Sequence, residues 1–264
     1  MRSVDMLLSV FKEKRNWDSY FAESLKGKGP EHQNRFWWDL LNEDVCQLAL
    51  NYLSLENSIR ILEPGCGSAQ TSFYLSEKIE VDGLYLTDIS TKALHFSRSK
   101  EPAKLRDKVH YIEGDLFQME WDIQFDLVWN IGLIEHYTEE EIGKIVSKMY
   151  KYTKPGGILI LGMPNRRSLP VLKAAFLGSR FGNSLFKWVR GYRNDTEILY
   201  SIKQIREIIE KTTQEKVDVH YAGSNLWVGC PASLVKLFHL TLKQNRFCFL
   251  ALFFVKKPLT PNLD

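Results

Sequence analysis

The sequence predicts a doubly wound α/β fold built on a mostly parallel sheet, and three observations carry that prediction. Short apolar runs suited to buried strands alternate with helix-period segments from residue 58 onward. A glycine-containing turn, Pro64-Gly65-Cys66-Gly67, joins the first such run to the first such helix. Carboxylates, Asp88 and Asp115, then close the next two runs, at the sheet edge where open α/β folds bind ligands.

The totals fit that fold. A chain of 264 residues can hold one large or two small domains. Its apolar and charged fractions, 44% and 25%, are those of a globular enzyme with a sizeable core. A net charge of +3 gives no ground for a nucleic-acid partner. Cys46, Cys66, Cys230 and Cys248 show no metal-ligand spacing and read as reduced thiols of a cytoplasmic protein. The apolar patch Met6 to Phe11 lacks a cleavage site, and the longest apolar run, Phe247 to Val255, is about half a membrane-spanning length.

In chain order, residues 1–57 form an N-terminal segment rich in aromatics, with helices near 16–26 and 34–53 around Gly27-Lys28-Gly29-Pro30. Leu41, Val45, Leu48, Ala49 and Tyr52 recur at helical spacing, so the second helix should lie on the sheet. Residues 58–264 form the main domain. Ile59, Ile61 and Leu62 make its first strand, and a helix follows over about 69–79. Gly83 to Asp88 is the second strand, with Ser90 or Asp88 placed to cap the helix Thr91 to Ser99. Lys108 to Glu113 is the third and Phe125 to Asn130 the fourth. Thr138 and Glu141 form a capping-box pattern for the next helix, which should end near Pro155-Gly156-Gly157. Ile158 to Leu161 is the fifth strand. A basic, partly amphipathic insertion, 166–194, precedes a helix over Ser201 to Lys211 and a strand over Lys216 to Tyr221.

The glycine turn selects among ligands by its spacing. It lacks the Gly-Lys-Ser/Thr ending of a phosphate-binding loop, and Gln70 stands where a dinucleotide fingerprint wants its third glycine. What fits is acidic-x-Gly-x-Gly, Glu63-Pro64-Gly65-Cys66-Gly67. This resembles motif I of the class I S-adenosylmethionine-dependent methyltransferases, with Ala69 where that family often has another glycine. The small-molecule branch, of the ubiquinone-biosynthesis and type 11/25 kind, is the nearest likeness. The resemblance is specific over 58–165 and weaker over 200–256. It implies a seven-stranded sheet with an antiparallel last strand from the run 247–255, after a helix near 232–243. It further implies an N-terminal helical lid and a substrate cap in the insertion. A basic face resting on a membrane, one holding an acidic substrate, or one simply solvated remains the alternative for 166–194.

Carried onto this sequence, the family pattern implies that S-adenosylmethionine, leaving as S-adenosylhomocysteine, is bound by Glu63, Gly65, Cys66, Gly67, Asp88, Ile89, Asp115, Leu116, Asn130 and Tyr20. Asp88 would accept the ribose hydroxyls, and Asp115 with the Leu116 N–H would hold adenine. Trp37, Glu135, Asn165 and Arg166 would meet the acceptor, with Tyr20 and Phe21 in the lid. Arg167, His220 and Tyr221 would lie near the same mouth. His136 is the candidate base, or else a packing residue. Gly132 interrupts the Glu-x-x-Glu-His of metal-dependent relatives, so no metal is expected. The implied activity is methyl transfer to an O, N or C atom of a small acceptor, of natural-product or lipid/quinone type. No nucleic acid is expected as partner, and peripheral membrane contact is not favoured. A user of the cofactor that transfers no methyl, such as a cyclase or decarboxylase, and a silent binding partner are the competing readings.

Overall fold

The computed structural model describes residues 4–27, 35–178, 197–242 and 244–259, with side chains from residue 14 onward. Residues 28–30 of the first loop and 179–194 of the insertion lie outside them. Helices α1 (Val4–Leu25) and α2 (Arg35–Leu50) precede β1 (Ile59–Pro64), α3 (Gln70–Lys78), β2 (Val81–Asp88), α4 (Thr91–Ser99) and β3 (Val109–Glu113). Then come β4 (Phe125–Ile131), α5 (Glu139–Tyr152), β5 (Thr153–Pro164) and α6 (Leu169–Gly178). The chain closes with α7 (Ile202–Thr213), β6 (Asp218–Ala222), α8 (Ala232–Leu242) and β7 (Leu250–Lys256).

The seven strands lie in the order β3-β2-β1-β4-β5-β7-β6. All neighbours pair parallel except β7, which runs antiparallel to both β5 and β6. The order reverses between β1 and β4, so their carboxyl ends flank the crevice in which such sheets bind ligands.

Two apolar layers sandwich the sheet because the central strands are apolar on both faces. One layer includes Leu41, Val45 and Ala49 of α2, Leu75 of α3 and Leu84 and Trp129 of the strands. The other joins Val128, Leu161 and Phe253 to Ile145 and Met149 of α5 and Ile205 and Ile209 of α7. Caps fix the helix starts. Ser90 Oγ accepts from Ala93 N at 3.1 Å, and reciprocal capping boxes hold Thr138 with Glu141 and Ser201 with Gln204.

Several boundaries differ from the sequence reading, each for a local reason. The first helix is longer, beginning at Val4. β5 begins at Thr153, ahead of Pro155-Gly156-Gly157. There Gly156 takes φ +76°, and a Cβ on Gly157 would meet the carbonyls of Asp126 and Phe125 at 2.9 and 3.1 Å. The last strand starts at Leu250 because Asn245 holds Phe247 N and Cys248 N in a turn. α2 is a layer of the main core, so the covering of the sheet edge falls to α1. No helix among the described residues is long and apolar enough to cross a membrane.

Candidate functional site

At the carboxyl end of β1 the chain turns through three left-handed residues, Gly65 (φ +66°), Gly67 (φ +51°) and Ala69 (φ +52°). Only glycine takes this region without strain. A Cβ on Gly65 would lie 2.8 Å from Leu133 Cδ1, and one on Gly67 3.2 Å from Phe21 Cζ. The turn is therefore a backbone cradle closed by apolar side chains.

Buried polar groups hold it in place. Trp129 Nε1 donates to Ser72 Oγ at 2.8 Å, and Ser72 Oγ donates to Glu63. Burial pushes the Glu63 carboxyl up to about 8, against the Ser72 bond, so it is protonated at neutral pH. Asn130 Nδ2 donates to Pro64 O at 2.6 Å and Gly65 O at 3.0 Å, while its buried Oδ1 has no hydrogen-bond partner. Cys66 N donates to Thr87 O at 2.9 Å, and burial raises its thiol well above the ordinary range.

Asp88 caps β2 and links the neighbouring loops. Its Oδ2 accepts from Gly67 N at 2.9 Å and its Oδ1 from Ser90 N at 2.8 Å. Only 7% exposed, it has its carboxyl pushed up to about 6 by burial, against the bonds from Ser90 and Gly67. Ile89 beside it is half-buried. At the end of β3, Gly114 N donates to Asp88 O at 3.0 Å. The half-buried Asp115 accepts from Phe117 N at 2.9 Å, and Leu116 packs on the second apolar layer.

α1 covers this edge. Asp18 Oδ1 accepts from Ser90 Oγ at 2.6 Å and from Lys92 N at 3.3 Å, and Phe21 packs with Ala93 and Phe96 of α4. The Trp17 ring meets the His136 ring edge-on, centroids 5.2 Å apart. Leu133 to His136 form a tight turn after β4, in which Glu135 is 4% exposed and accepts Ile198 N on its carbonyl at 2.7 Å. Burial pushes the Glu135 carboxyl up to about 8, with Glu197 adding to the rise. Ligand atoms of Glu135, His136 and Glu197 lie within 4.8 Å of one another, close enough to share a cation.

The predicted residues thus divide. Glu63, Gly65, Cys66, Gly67, Asp88, Ile89, Asn130, Asp115 and Leu116 gather at the ends of β1 to β4, with Glu135 and His136 beside them. Tyr20 is 41% exposed and touches the neighbouring rings of Trp17 and Phe21. Two substrate candidates are corrected. Trp37 is buried, its Nε1 spent on Leu226 O at 2.8 Å, and it packs against Phe249 as core. Asn165 is fully buried and donates to Arg246 O and Cys248 O, both at 2.9 Å, tying the exit of β5 to the entry of β7. Arg166 is exposed next to it. His220 turns to Tyr52, with Nε2 2.7 Å from the phenol oxygen. Trp17 and Asp18 were missed, although Trp17 and Phe21 share a helix face at i, i+4 spacing. Glu197 carried no sequence signal.

A backbone cradle, a carboxylate at the end of the second strand and a half-buried acid after the third suit a nucleoside-bearing ligand, as in other open α/β sheets. The two glycines and the orphaned Asn130 Oδ1 fit such a ligand. The class of protein is therefore a nucleoside-cofactor enzyme of the doubly wound type.

Comparison with known proteins narrows this. Residues 61–157 match the family described as a methyltransferase domain. The chain is 25% identical over 210 residues to a ubiquinone biosynthesis O-methyltransferase of Rickettsia bellii, covering 78% of this chain and 83% of that one. It is 24% identical to the Gallus gallus tRNA N(3)-cytidine methyltransferase METTL2, covering 73% of this chain and 56% of that one. The solved DhpI–SAH complex shares the fold at a TM-score of 0.60 and 12% identity, over 95% of this chain and 98% of its own. Residues 61–157 are thus a methyltransferase domain, and the chain is an S-adenosylmethionine-dependent methyltransferase.

Proposed function

We propose that this enzyme methylates an oxygen, nitrogen or carbon nucleophile on a small acceptor of natural-product or lipid/quinone type. The observation that supports this most is the cover given by α1, with Trp17 on His136, Phe21 on Gly67 and Asp18 on Ser90. Such a cover suits an acceptor enclosed among aromatic rings rather than one lying across an open face. Free thiols at Cys46, Cys66, Cys230 and Cys248 fit a cytoplasmic location.

The bound cofactor supplies an electrophilic methyl carbon on a sulfonium. In this reading Asp88 accepts from the ribose hydroxyls, while Asp115 and the Leu116 N–H hold adenine. The backbone of Gly65, Cys66 and Gly67 lies against the methionine portion, where Asn130 Oδ1 accepts a hydrogen bond. Glu63 holds the turn through Ser72, and Ile89 and Tyr20 flank the nucleoside. His136 takes the proton of a hydroxyl acceptor, and Glu135 fixes its turn. Trp17 and Phe21 keep water from a displacement that disperses charge. Because Phe21 packs directly on Gly67, cofactor entry requires α1 to shift.

The test supplies methyl-labelled cofactor with two acceptor pools, hydroxylated phenols and quinols in one and bulk tRNA in the other. Label in the small-molecule fraction is expected, whereas label on tRNA alone would overturn the small-acceptor reading. A second reading rests on the Glu135, His136 and Glu197 cluster. A divalent cation held there would acidify an acceptor hydroxyl, with His136 a ligand instead of a base. Chelation that abolishes turnover, with recovery on adding Mg2+, would favour it. Turnover indifferent to chelator keeps His136 as the base.

A further inference from the structure

We infer that α6, the 224–231 loop, α8 and Phe247 form a docking face for an anionic lipid bilayer. α8, with the sequence ASLVKLFHLTL, buries only Val235. Leu234, Leu237, Phe238, Leu240 and Leu242 are all exposed, Leu237 at 56% and Leu240 at 72%. At 100° per residue Leu234, Leu237, Phe238 and Leu240 share one arc of about 160°, opposite the inward side of the helix, where Val235 is buried and His239 meets the buried Asp44 at 3.4 Å. α6 repeats the arrangement. Val171, Ala174 and Leu177 are buried, while Leu169, Leu172 and Phe176 form an exposed stripe.

Three contacts join these pieces into one surface. The Lys173 ammonium lies 5.3 Å over the Trp227 ring, tying α6 to the loop before α8. Asn225 Nδ2 donates to Leu242 O at 3.3 Å, fixing the far end of α8. Asn165 bonds the segment carrying Arg246 and the exposed Phe247. The surface thus sits at the carboxyl ends of β5 and β6, continuous with the edge that carries the site. Exposed apolar area of this extent marks an interaction surface.

Charge identifies what covers it. The sequence has no aspartate or glutamate from Ile142 to Asn194, and none from Val219 to Leu263, in a chain with 32 acidic residues. The cations on or beside the described face are Arg166, Arg167, Lys173, Lys236 and Arg246. Leucine and phenylalanine among cations, without anions, is the composition of helices that lie in an anionic lipid interface. A nucleic acid would satisfy the cations and leave Leu237 and Leu240 in water. A second copy would cover the leucines and bring like charges together. A bilayer meets both demands, and the inference holds whatever the acceptor is.

Flotation of the full chain with vesicles tests it, using phosphatidylcholine alone and phosphatidylcholine mixed with phosphatidylglycerol. The protein should rise with the mixed vesicles and not with phosphatidylcholine alone, and added salt should weaken the association. Leu237→Glu/Leu240→Glu should lower partitioning on the order of a hundredfold, since each withdrawn leucine counts for roughly tenfold or more. Calorimetric binding of S-adenosylmethionine should be unchanged in that variant, which shows that it folds. Lys236→Glu/Arg246→Glu should abolish the preference for phosphatidylglycerol. Failure of the wild-type protein to float with anionic vesicles overturns the inference. So does equal flotation of the leucine variant. A dimer that the leucine variant dissociates, or retention by tRNA, in either case without flotation, would assign the face to those partners instead.

Discussion

Cofactor affinity should depend on pH through Asp88. Burial has pushed its carboxyl from 3.8 to about 6, although Gly67 N and Ser90 N both donate to it. That rise corresponds to roughly 3 kcal/mol against the ionised form in the free enzyme. By linkage, Asp88 adds relative stability to the free fold in acid, fully present below 3.8 and lost as pH rises through about 6. Ribose hydroxyls bind the ionised carboxylate as donors, so the cofactor draws the pKa back down. Affinity should therefore be level above pH 6 and fall below it by up to about tenfold per pH unit, as one proton is displaced. Isothermal titration with S-adenosylhomocysteine from pH 8 to pH 5, repeated in buffers of different ionisation enthalpy, reads both the affinity and the proton count. Asp88→Asn should bind roughly 1–3 kcal/mol more weakly at neutral pH and lose the acid dependence. Glu63 remains in that variant, so a residual slope would belong to it. A wild-type dissociation constant that stays flat from pH 8 to pH 5 would refute the ribose role.

The remaining expectations concern single side chains. Glu63→Gln should match the wild type in stability below about pH 4.5, because the amide imitates the protonated acid that Ser72 bonds; from there to about pH 8 the variant should become increasingly the more stable, by a constant margin above that, and parallel denaturation curves at every pH would reject this. Ala69→Gly should stabilise the fold by up to about 1 kcal/mol by relieving a left-handed alanine, as read from urea midpoints, and a loss of stability would show that the strain is absent. His136→Ala should lower kcat about a hundredfold or more with unchanged cofactor affinity if the ring is the base, and full activity would leave it a packing partner of Trp17.

Most of the fold was legible because it is written locally. Ser90, the Thr138–Glu141 box and the apolar alternation fix α4, the start of α5 and the strands β1, β2 and β4 within a residue or two. The glycine turn was legible for a related reason, since Glu63, Gly65, Gly67 and Asp88 lie at the ends of adjacent parallel strands, where chain order fixes their placement. Side chains whose work is set by distant partners were not legible. Trp37 and Asn165 have the chemistry of binding residues, yet each spends its donors on carbonyls far along the chain, at Leu226 and at Arg246 and Cys248. Residue type alone cannot separate a polar group that waits for a ligand from one that ties two loops together.

The same distinction sorts the buried polar groups at the edge of the sheet. Asp88 is occupied by two amides, and the Asn130 amide group by two carbonyls, so each has only its remaining capacity to offer a ligand. In Asn130 that remainder is Oδ1 and in Glu135 it is Oε2, each buried without a hydrogen-bond partner. An unpaired buried acceptor costs roughly 1–3 kcal/mol, a penalty that a bound donor or cation relieves. Between these two residues in the chain stands Leu133, whose side chain closes over Gly65. The end of β4 thus holds one such acceptor on a residue bonded to the glycine cradle, and the turn after β4 holds another on the residue that neighbours His136 and Glu197. In the proposed reading, cofactor and acceptor chemistry meet across that single turn.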